Sequence, residues 1–223
     1  VDPLVNKYKR CYKKINYKIS KFFQISDIKK LNLTKKFKII SALSVFYDLE
    51  DPNRFIKGIK ECLDENGIFV LEQTDLLCII KNNLFDTICH EHLEYYSSKV
   101  IINMMNFNGL KVFDHEFNNI NGGSSRYYIC HHKAKYKTKK KKINKLLSEE
   151  SKIGLHSAKI FKIFFANILN EKNKLKKMIK KIINKKFIIH GCGASTKGNV
   201  LLQFYEIKNK DINYIADRNP LKY

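Results

Sequence analysis

The spacing of apolar and polar positions changes several times along this 223-residue chain, and each change marks an element. Residues 37–43, Phe-Lys-Ile-Ile-Ser-Ala-Leu, follow the polar Thr34-Lys35-Lys36 and read as a buried strand. Asp51-Pro52 then opens a helix, with Asp51 as N-cap and Pro52 at the first helical position. Phe55, Ile56, Ile59, Cys62 and Leu63 recur at a helical period, and Asn66-Gly67 is the expected stop. Ile68-Phe69-Val70-Leu71 forms the next strand, finishing at Glu72. Strand–helix–strand at this length is a βαβ crossover, which predicts a parallel sheet.

Further on, a helix is expected from Ser98 to Asn108 with Gly109 closing it. Two strands, Leu110–Phe117 and Ser125–His132, are joined by Asn118-Asn119-Ile120-Asn121-Gly122-Gly123. Lys133–Lys142 reads as a lysine-rich hinge and sets the expected boundary between a first domain, 1–135, and a second, 136–223. Amphipathic helix follows to about Lys181, its stripe built from Leu146, Leu147, Ile153, Leu155, Ile160, Phe164, Phe165 and Ile168. Phe187-Ile188-Ile189-His190 reads as a second buried strand running into Gly191-Cys192-Gly193-Ala194-Ser195-Thr196-Lys197-Gly198-Asn199. A helix (Val200–Tyr205) and a strand (Asn213–Ala216, ending at Asp217) complete the start of a second Rossmann-like unit. The fold class is α/β, and no internal repeat of fixed period is present.

Composition narrows the function classes. The net charge of +22 invites a nucleic-acid or membrane-surface reading. Only Arg10, Arg54, Arg126 and Arg218 are arginine, however, so the excess is lysine alongside abundant Asn and Ile. Specific nucleic-acid readers favour the planar fork of Arg, and lysine spread over tolerant surface positions argues against that role. Lys135–Lys145 is the one real cluster and reads as a solvated hinge. No run reaches the roughly 18 apolar residues of a membrane helix, and no signal peptide opens the chain. The six cysteines show no paired or metal-ligand spacing, which points to reduced thiols in a cytoplasmic protein. Val1-Asp2-Pro3-Leu4 and Asn219-Pro220-Leu221-Lys222-Tyr223 both read as truncated ends.

The densest chemistry lies in Cys89-His90-Glu91-His92-Leu93-Glu94-Tyr95-Tyr96-Ser97, with two histidines, two carboxylates and two phenols. If 90–92 are extended, His90 and His92 share a face; if helical, Glu91 and Tyr95 do. A base for carbon-acid chemistry needs a titration near the working pH and an orienting partner, which His beside carboxylates supplies. A metal site on His90 and His92 lacks an evident third ligand, and histidines satisfied within the fold are the bland alternative.

Six segments occur in order. They are Ser44-Val45-Phe46-Tyr47-Asp48-Leu49-Glu50-Asp51-Pro52, Leu71-Glu72-Gln73, Phe85 to Ser97, Asn121-Gly122-Gly123-Ser124, Gly193-Ala194-Ser195-Thr196-Lys197-Gly198-Asn199 and Ala216-Asp217-Arg218-Asn219-Pro220. Together they resemble the sugar-nucleotide C-methyltransferases over nearly the whole chain. That resemblance implies a class I methyltransferase Rossmann-like domain followed by part of a second, C-terminal Rossmann-like domain. It also implies S-adenosylmethionine (SAM) as cofactor and a nucleotide-linked 4-keto-6-deoxy sugar as substrate, methylated at C3. His92 matches the family's general base, Glu91 a carboxylate that holds sugar hydroxyls, and His90 completes the catalytic run. Cys89 stands where family members often carry tyrosine, so substrate choice is not carried over. Tyr95 and Gly123 are assigned to the substrate pocket, and Ser195, Thr196 and Lys197 to its diphosphate. Asp217 either binds a ribose or caps its own turn.

For the cofactor, Asp2 sits where the family's acidic residue grips the SAM ribose, although Asp-Pro is also an ordinary turn opener. Phe46, Tyr47 and Asp48 are placed to line the cofactor crevice, the aromatic pair being equally readable as core rim. The Gly-rich first loop and a zinc-binding amino-terminal domain of the family are absent from the sequence. Two rivals stand beside this reading: a non-catalytic fragment of such an enzyme, and a basic nucleic-acid-binding protein.

Overall fold

In the computed structural model, residues 1–219 are described; Pro220 to Tyr223, and with them the end of the Asp217–Pro220 turn, lie outside the described residues, as do the side chains of Lys9 and Cys11. In chain order the elements are α1 (Ile25–Lys29), β1 (Phe37–Leu43), α2 (Pro52–Cys62), β2 (Leu63–Thr74), α3 (Leu76–Lys81) and α4 (Ser98–Phe107). There follow β3 (Leu110–Asn118), β4 (Ser124–His131), α5 (Lys140–Lys152), α6 (Ala158–Asn184), β5 (His190–Cys192), α7 (Thr196–Phe204) and β6 (Tyr214–Ala216). The chain forms two compact units that alternate along the sequence. The first takes 1–73, 99–117 and 125–145; the second takes 74–98, 118–124 and 146–223.

The first unit is built on a four-stranded sheet in the order β1-β2-β4-β3. β1 and β2 are parallel, with Ile39 opposite Ile68 and Leu43 opposite Glu72, as the crossover predicts. Phe37 instead faces Leu63, so Asp64–Gly67 loop out of register. β2 therefore starts at Leu63, three residues before the Asn66-Gly67 stop, and α2 ends at Cys62. A Cβ at Gly67 would lie 2.8 Å from the Phe37 carbonyl, so the loop-out closes only over glycine. β3 and β4 form a hairpin: Phe113 meets Tyr128 and His115 meets Ser125, one number rising as the other falls.

Asp51 caps α2 through the Arg54 N–H at 2.9 Å, and Ile56 and Ile59 are buried, as are Phe46, Leu63, Phe69, Leu71, Ile101, Met105 and Tyr127 of the same unit. Phe55 bridges outward to Phe23 at 5.1 Å and inward to Phe46 at 6.0 Å, both edge-on. α4 closes at Gly109, whose φ of +76° suits a C′ residue. The strand at 37–43 forms as expected, but it is not buried. It is the edge of the sheet, and Ile39 and Leu43 are 70% and 56% exposed.

In the second unit Asp75 caps α3, its Oδ1 accepting from Leu77 N (2.8 Å) and Cys78 N (3.3 Å). Ser98 Oγ donates to Asp75 Oδ2 at 3.2 Å, and Glu150 Oε1 accepts the Ser98 N–H at the start of α4. All three residues are buried, and each carboxylate meets donors, which lowers the cost of their burial. Leu77, Ile79 and Ile80 of α3 pack with Leu155, with Phe164 and Ile168 of α6, and with Tyr205. Phe165, expected in the buried stripe, is 49% exposed, because α6 buries a single line through Phe164, Ile168 and Ile179.

β5 and β6 form a separate parallel pair, His190 opposite Tyr214 and Cys192 opposite Ala216. The expected buried strand at 187–190 is corrected on both counts. It begins only at His190, and Phe187 and Ile188 are exposed. With one partner strand and three paired residues, this sheet is too small to cover its own faces. α7 starts at Thr196, four residues ahead of the expected Val200, because Ser195 caps it by accepting from Gly198 N at 3.0 Å.

Candidate active site

The His-Glu-His run is neither extended nor helical. Phe85–Thr87 makes a single 3-10 turn, and the His92 N–H then reaches back to the Cys89 carbonyl at 3.2 Å, so His90 and Glu91 occupy the corners of a tight turn. Both corner residues are exposed, while Cys89, His92 and Tyr95 are half-buried. Tyr95 holds the turn together. Its phenolic oxygen accepts the Cys89 N–H at 3.2 Å and lies 3.4 Å from the carbonyl oxygens of Thr87 and Cys89, to one of which it donates. The ring stands edge-on to His92, centroids 6.1 Å apart. The Tyr96 carbonyl accepts from Leu76 N, which ties the segment to the start of α3. Burial, with Glu94 adding to it, pushes the Tyr96 phenol up to about 12, so it stays protonated at neutral pH.

The same unit brings the loop at 191–199 to this segment. Lys197 Nζ donates to Thr87 Oγ1 at 3.4 Å, and Phe85 packs on Phe204 with centroids 4.4 Å apart. Ser195 and Thr196 are exposed at the α7 N-terminus and Lys197 is half-buried. Asp217 is engaged locally: Oδ2 accepts from Ala194 N and Oδ1 from Asn219 N, both at 2.8 Å. Of its two expected roles, turn capping is the one the geometry displays. Gly123 has φ +141°, and a Cβ there would lie 2.7 Å from Cys78 Cβ, so the close approach it permits is to that thiol. Burial and the Asp75 carboxylate push Cys78 up to about 11, which keeps it an unreactive thiol.

The expected cofactor residues lie in the first unit. Asp2 Oδ1 accepts from Leu4 N (2.6 Å) and Oδ2 from the Tyr12 hydroxyl (3.4 Å). Past the carboxyl end of β1, Ser44 turns the chain with φ +54°, and Phe46–Asp48 forms a 3-10 turn. Phe46 and Tyr47 are buried and Asp48 is exposed. Next to them, at the carboxyl end of β2, buried Glu72 pairs with Arg126 Nε at 2.6 Å. Among the described residues, no three His, Cys, Asp or Glu side chains gather as a metal would require, and no helix is long and apolar enough to cross a membrane.

Residues 1–115 match the model of a methyltransferase domain, and residues 119–223 that of the C-methyltransferase C-terminal domain. The chain belongs to the methyltransferase family. The C-methyltransferase NovU of Streptomyces niveus is 24% identical over 185 residues, 83% of this chain and 44% of that protein, so this methyltransferase spans under half the length of that relative. Among solved structures, an S-adenosylmethionine-dependent methyltransferase from Clostridium acetobutylicum superposes on 59% of this chain and 72% of its own, with 12% identity and a TM-score of 0.43. Magnesium protoporphyrin IX methyltransferase from Synechocystis, bound to SAH, covers 55% of this chain and 57% of its own at 11% identity and a TM-score of 0.38. The methyltransferase match ends inside β3, and the C-terminal match begins in the connection before β4.

Three pairings escape a reading by motif. Thr87 serves both Lys197 and Tyr95, Asp75 anchors the start of α3 and α4, and Glu72–Arg126 links two strands. Each depends on partners far apart in sequence. The one local signal is Asp75 ahead of an apolar run, a plain N-cap pattern.

Proposed function

We propose that this protein is a SAM-dependent C-methyltransferase acting on a nucleotide-linked 4-keto-6-deoxy sugar, with His92 as general base. The observation that carries the reading is the Tyr95-closed turn, which sets Glu91 and His92 side by side on a fixed backbone. For the cofactor, the donor set fits. Carboxyl ends of parallel strands are where open α/β sheets take ligands, and there stand the left-handed Ser44 turn and the exposed Asp48 carboxylate, with Asp2 on the same unit. Asp2 and Asp48 would hold polar groups of SAM, and the Phe46-Tyr47 turn would shape the crevice. When bound, SAM supplies an electrophilic methyl group and departs as a neutral thioether.

His92 takes the proton from the sugar carbon beside the ketone. The electron pair left on that carbon spreads onto the carbonyl oxygen as an enolate, and the carbon accepts the methyl group. The proton remains on the imidazole until water removes it. Glu91, exposed at the turn corner, accepts from sugar hydroxyls and fixes which carbon faces the base. His90 occupies the other exposed corner and adds a second polar contact. Cys89 presents a small thiol where a phenol would narrow the pocket, and Tyr95 and Gly123 shape that pocket through the backbone they hold. Ser195, Thr196 and Lys197 receive the diphosphate at the N-terminus of α7, and Asp217 keeps that loop closed through Ala194.

His92→Ala is the test. Loss of a general base lowers turnover by about 10²–10⁴-fold, while SAM affinity measured by calorimetry stays at the wild-type value. Wild-type turnover in that variant contradicts the mechanism.

A further inference from the structure

Lys197 is half-buried, and its Nζ donates to Thr87 Oγ1 at 3.4 Å. An ammonium carries three donors and a full charge, for which a neutral hydroxyl is a weak answer. Elsewhere in the same unit lysines are answered in full: Lys172 and Lys176 of α6 pair with Glu206 at 3.2 and 2.9 Å. Among the described residues no carboxylate pairs with Lys197. Its charge is held in place but not neutralised. Thr87, at 1% exposed, is a fixed point of attachment. It ends the 3-10 turn at 85–87, its N–H donating to the Leu84 carbonyl at 3.2 Å. Its own carbonyl oxygen lies 3.4 Å from the Tyr95 phenol, which accepts the Cys89 N–H and stands edge-on to His92. Thr87 thus faces Lys197 with its side chain and Tyr95 with its backbone.

α7 reinforces the first contact. Lys197, Leu201 and Phe204 recur at i, i+4 and i+7, one face of the helix. Leu201 and Phe204 pack against the same apolar core as Leu84, Phe85, Ile88 and Tyr95, and Phe204 lies on Phe85. A shift of α7 is therefore passed to the segment that holds the turn. We infer that Thr87 is a positioning residue, which transmits the arrival of a diphosphate at Lys197 to the turn that carries His92. The inference rests on the reading above, in which Lys197 receives the diphosphate and His92 is the base. An anion drawn to Lys197 pulls on Thr87, and Thr87 carries Tyr95 and the Cys89–His92 turn with it. The remote, unreacting end of the substrate then sets the base against the reacting carbon, a use of binding energy that raises kcat. A keto sugar without its diphosphate leaves the turn unset.

The test compares the wild-type chain with Thr87→Val, which keeps the shape and the backbone carbonyl but loses the hydroxyl, and with Thr87→Ser, which restores it. Inorganic pyrophosphate is the probe. Calorimetry reads its affinity, and spectra of protein with ¹³C-labelled histidine read the His92 ring, its signals assigned by their loss in His92→Ala. In the wild-type chain pyrophosphate binds and shifts the His92 signals. In Thr87→Val it binds with similar affinity and the shift is lost; Thr87→Ser recovers it. With SAM and dTDP-4-keto-6-deoxyglucose, Thr87→Val lowers kcat about tenfold or more, KM stays near the wild-type value, and Thr87→Ser recovers kcat. A wild-type shift or a wild-type kcat in Thr87→Val overturns the inference. So does a loss that Thr87→Ser leaves unrecovered, by assigning Thr87 to the fold alone. Pyrophosphate that binds the wild-type chain without moving His92 overturns this inference only. Pyrophosphate that does not bind removes the diphosphate from Lys197, and the inference goes with it. If the sugar nucleotide is not turned over, the sugar reading fails, and the pyrophosphate arm still decides the part of Thr87. Thr87→Ala serves as a second variant, with the expectations of Thr87→Val.

Discussion

Replacing Tyr95 by Phe removes a single oxygen, and the geometry states what that oxygen does. It accepts the Cys89 N–H at 3.2 Å and supplies one donor to the carbonyls of Thr87 or Cys89, each at 3.4 Å. Two neutral hydrogen bonds of this kind are together worth about 1–2 kcal/mol net. They act on the turn that carries Glu91 and His92, and the ring itself stays in place against His92. The expected fall in global stability is therefore about 1–2 kcal/mol or less. The effect on catalysis is larger, because a base displaced by about 1 Å can lose roughly a hundredfold in rate. A radiolabelled-methyl transfer assay with saturating SAM reads kcat and KM, and calorimetry reads SAM affinity. Tyr95→Phe is predicted to lower kcat about 10–100-fold with SAM affinity and secondary structure retained. If kcat is unchanged, the phenol does not position the base; if SAM affinity falls by the same factor as turnover, the loss lies in the fold.

Two further predictions concern charge and thiols. Burial would raise the Asp114 carboxyl, but hydrogen bonds from Lys139, Lys142 and the His115 N–H outweigh it and hold the group below the ordinary carboxylate range. Its contribution is therefore complete above about pH 4 and is lost as pH falls through the folded-state value. Asp114→Asn should cost about 1 kcal/mol at pH 7, since both lysine ends are half exposed. Chemical denaturation should show that cost vanishing toward pH 2. Among Cys62, Cys78, Cys89, Cys130 and Cys192, iodoacetamide at pH 8 should label exposed Cys192 first and Cys89 next. Burial pushes the Cys62, Cys78 and Cys130 thiols up, so they resist. Peptide mass spectrometry that finds Cys78 labelled at the rate of Cys192 contradicts the packing of α3.

Elements with local signals were legible in the sequence. The strand at 37–43, the Asp51-Pro52 cap and the Gly109 stop all depend on residues within one turn of each other, and all form. Burial was less legible, because it depends on what lies alongside. Residues 37–43 and 187–190 have the same apolar character as core strands, yet one is a sheet edge and the other is mostly outside the sheet. α3 was missed because six residues, Leu76 to Lys81, are too few to display a helical period. In the His-Glu-His segment, residue types and order suggest proton-transfer chemistry, but the turn itself is set by Tyr95 reaching back to Cys89, and no periodicity encodes that bond. Nothing in the Leu71-Glu72-Gln73 motif singles out Gln73, since its buried amide, unanswered among the described residues, becomes visible only once its surroundings are in place.

The central claim is methyl transfer to carbon. Incubating the protein with SAM carrying a ¹³C-labelled methyl group and dTDP-4-keto-6-deoxyglucose, then recording carbon–proton correlation spectra, tests it most directly. A labelled methyl group bonded to C3 of the ring is the predicted result. Label on an oxygen, or none transferred by a folded, SAM-binding protein, would contradict it.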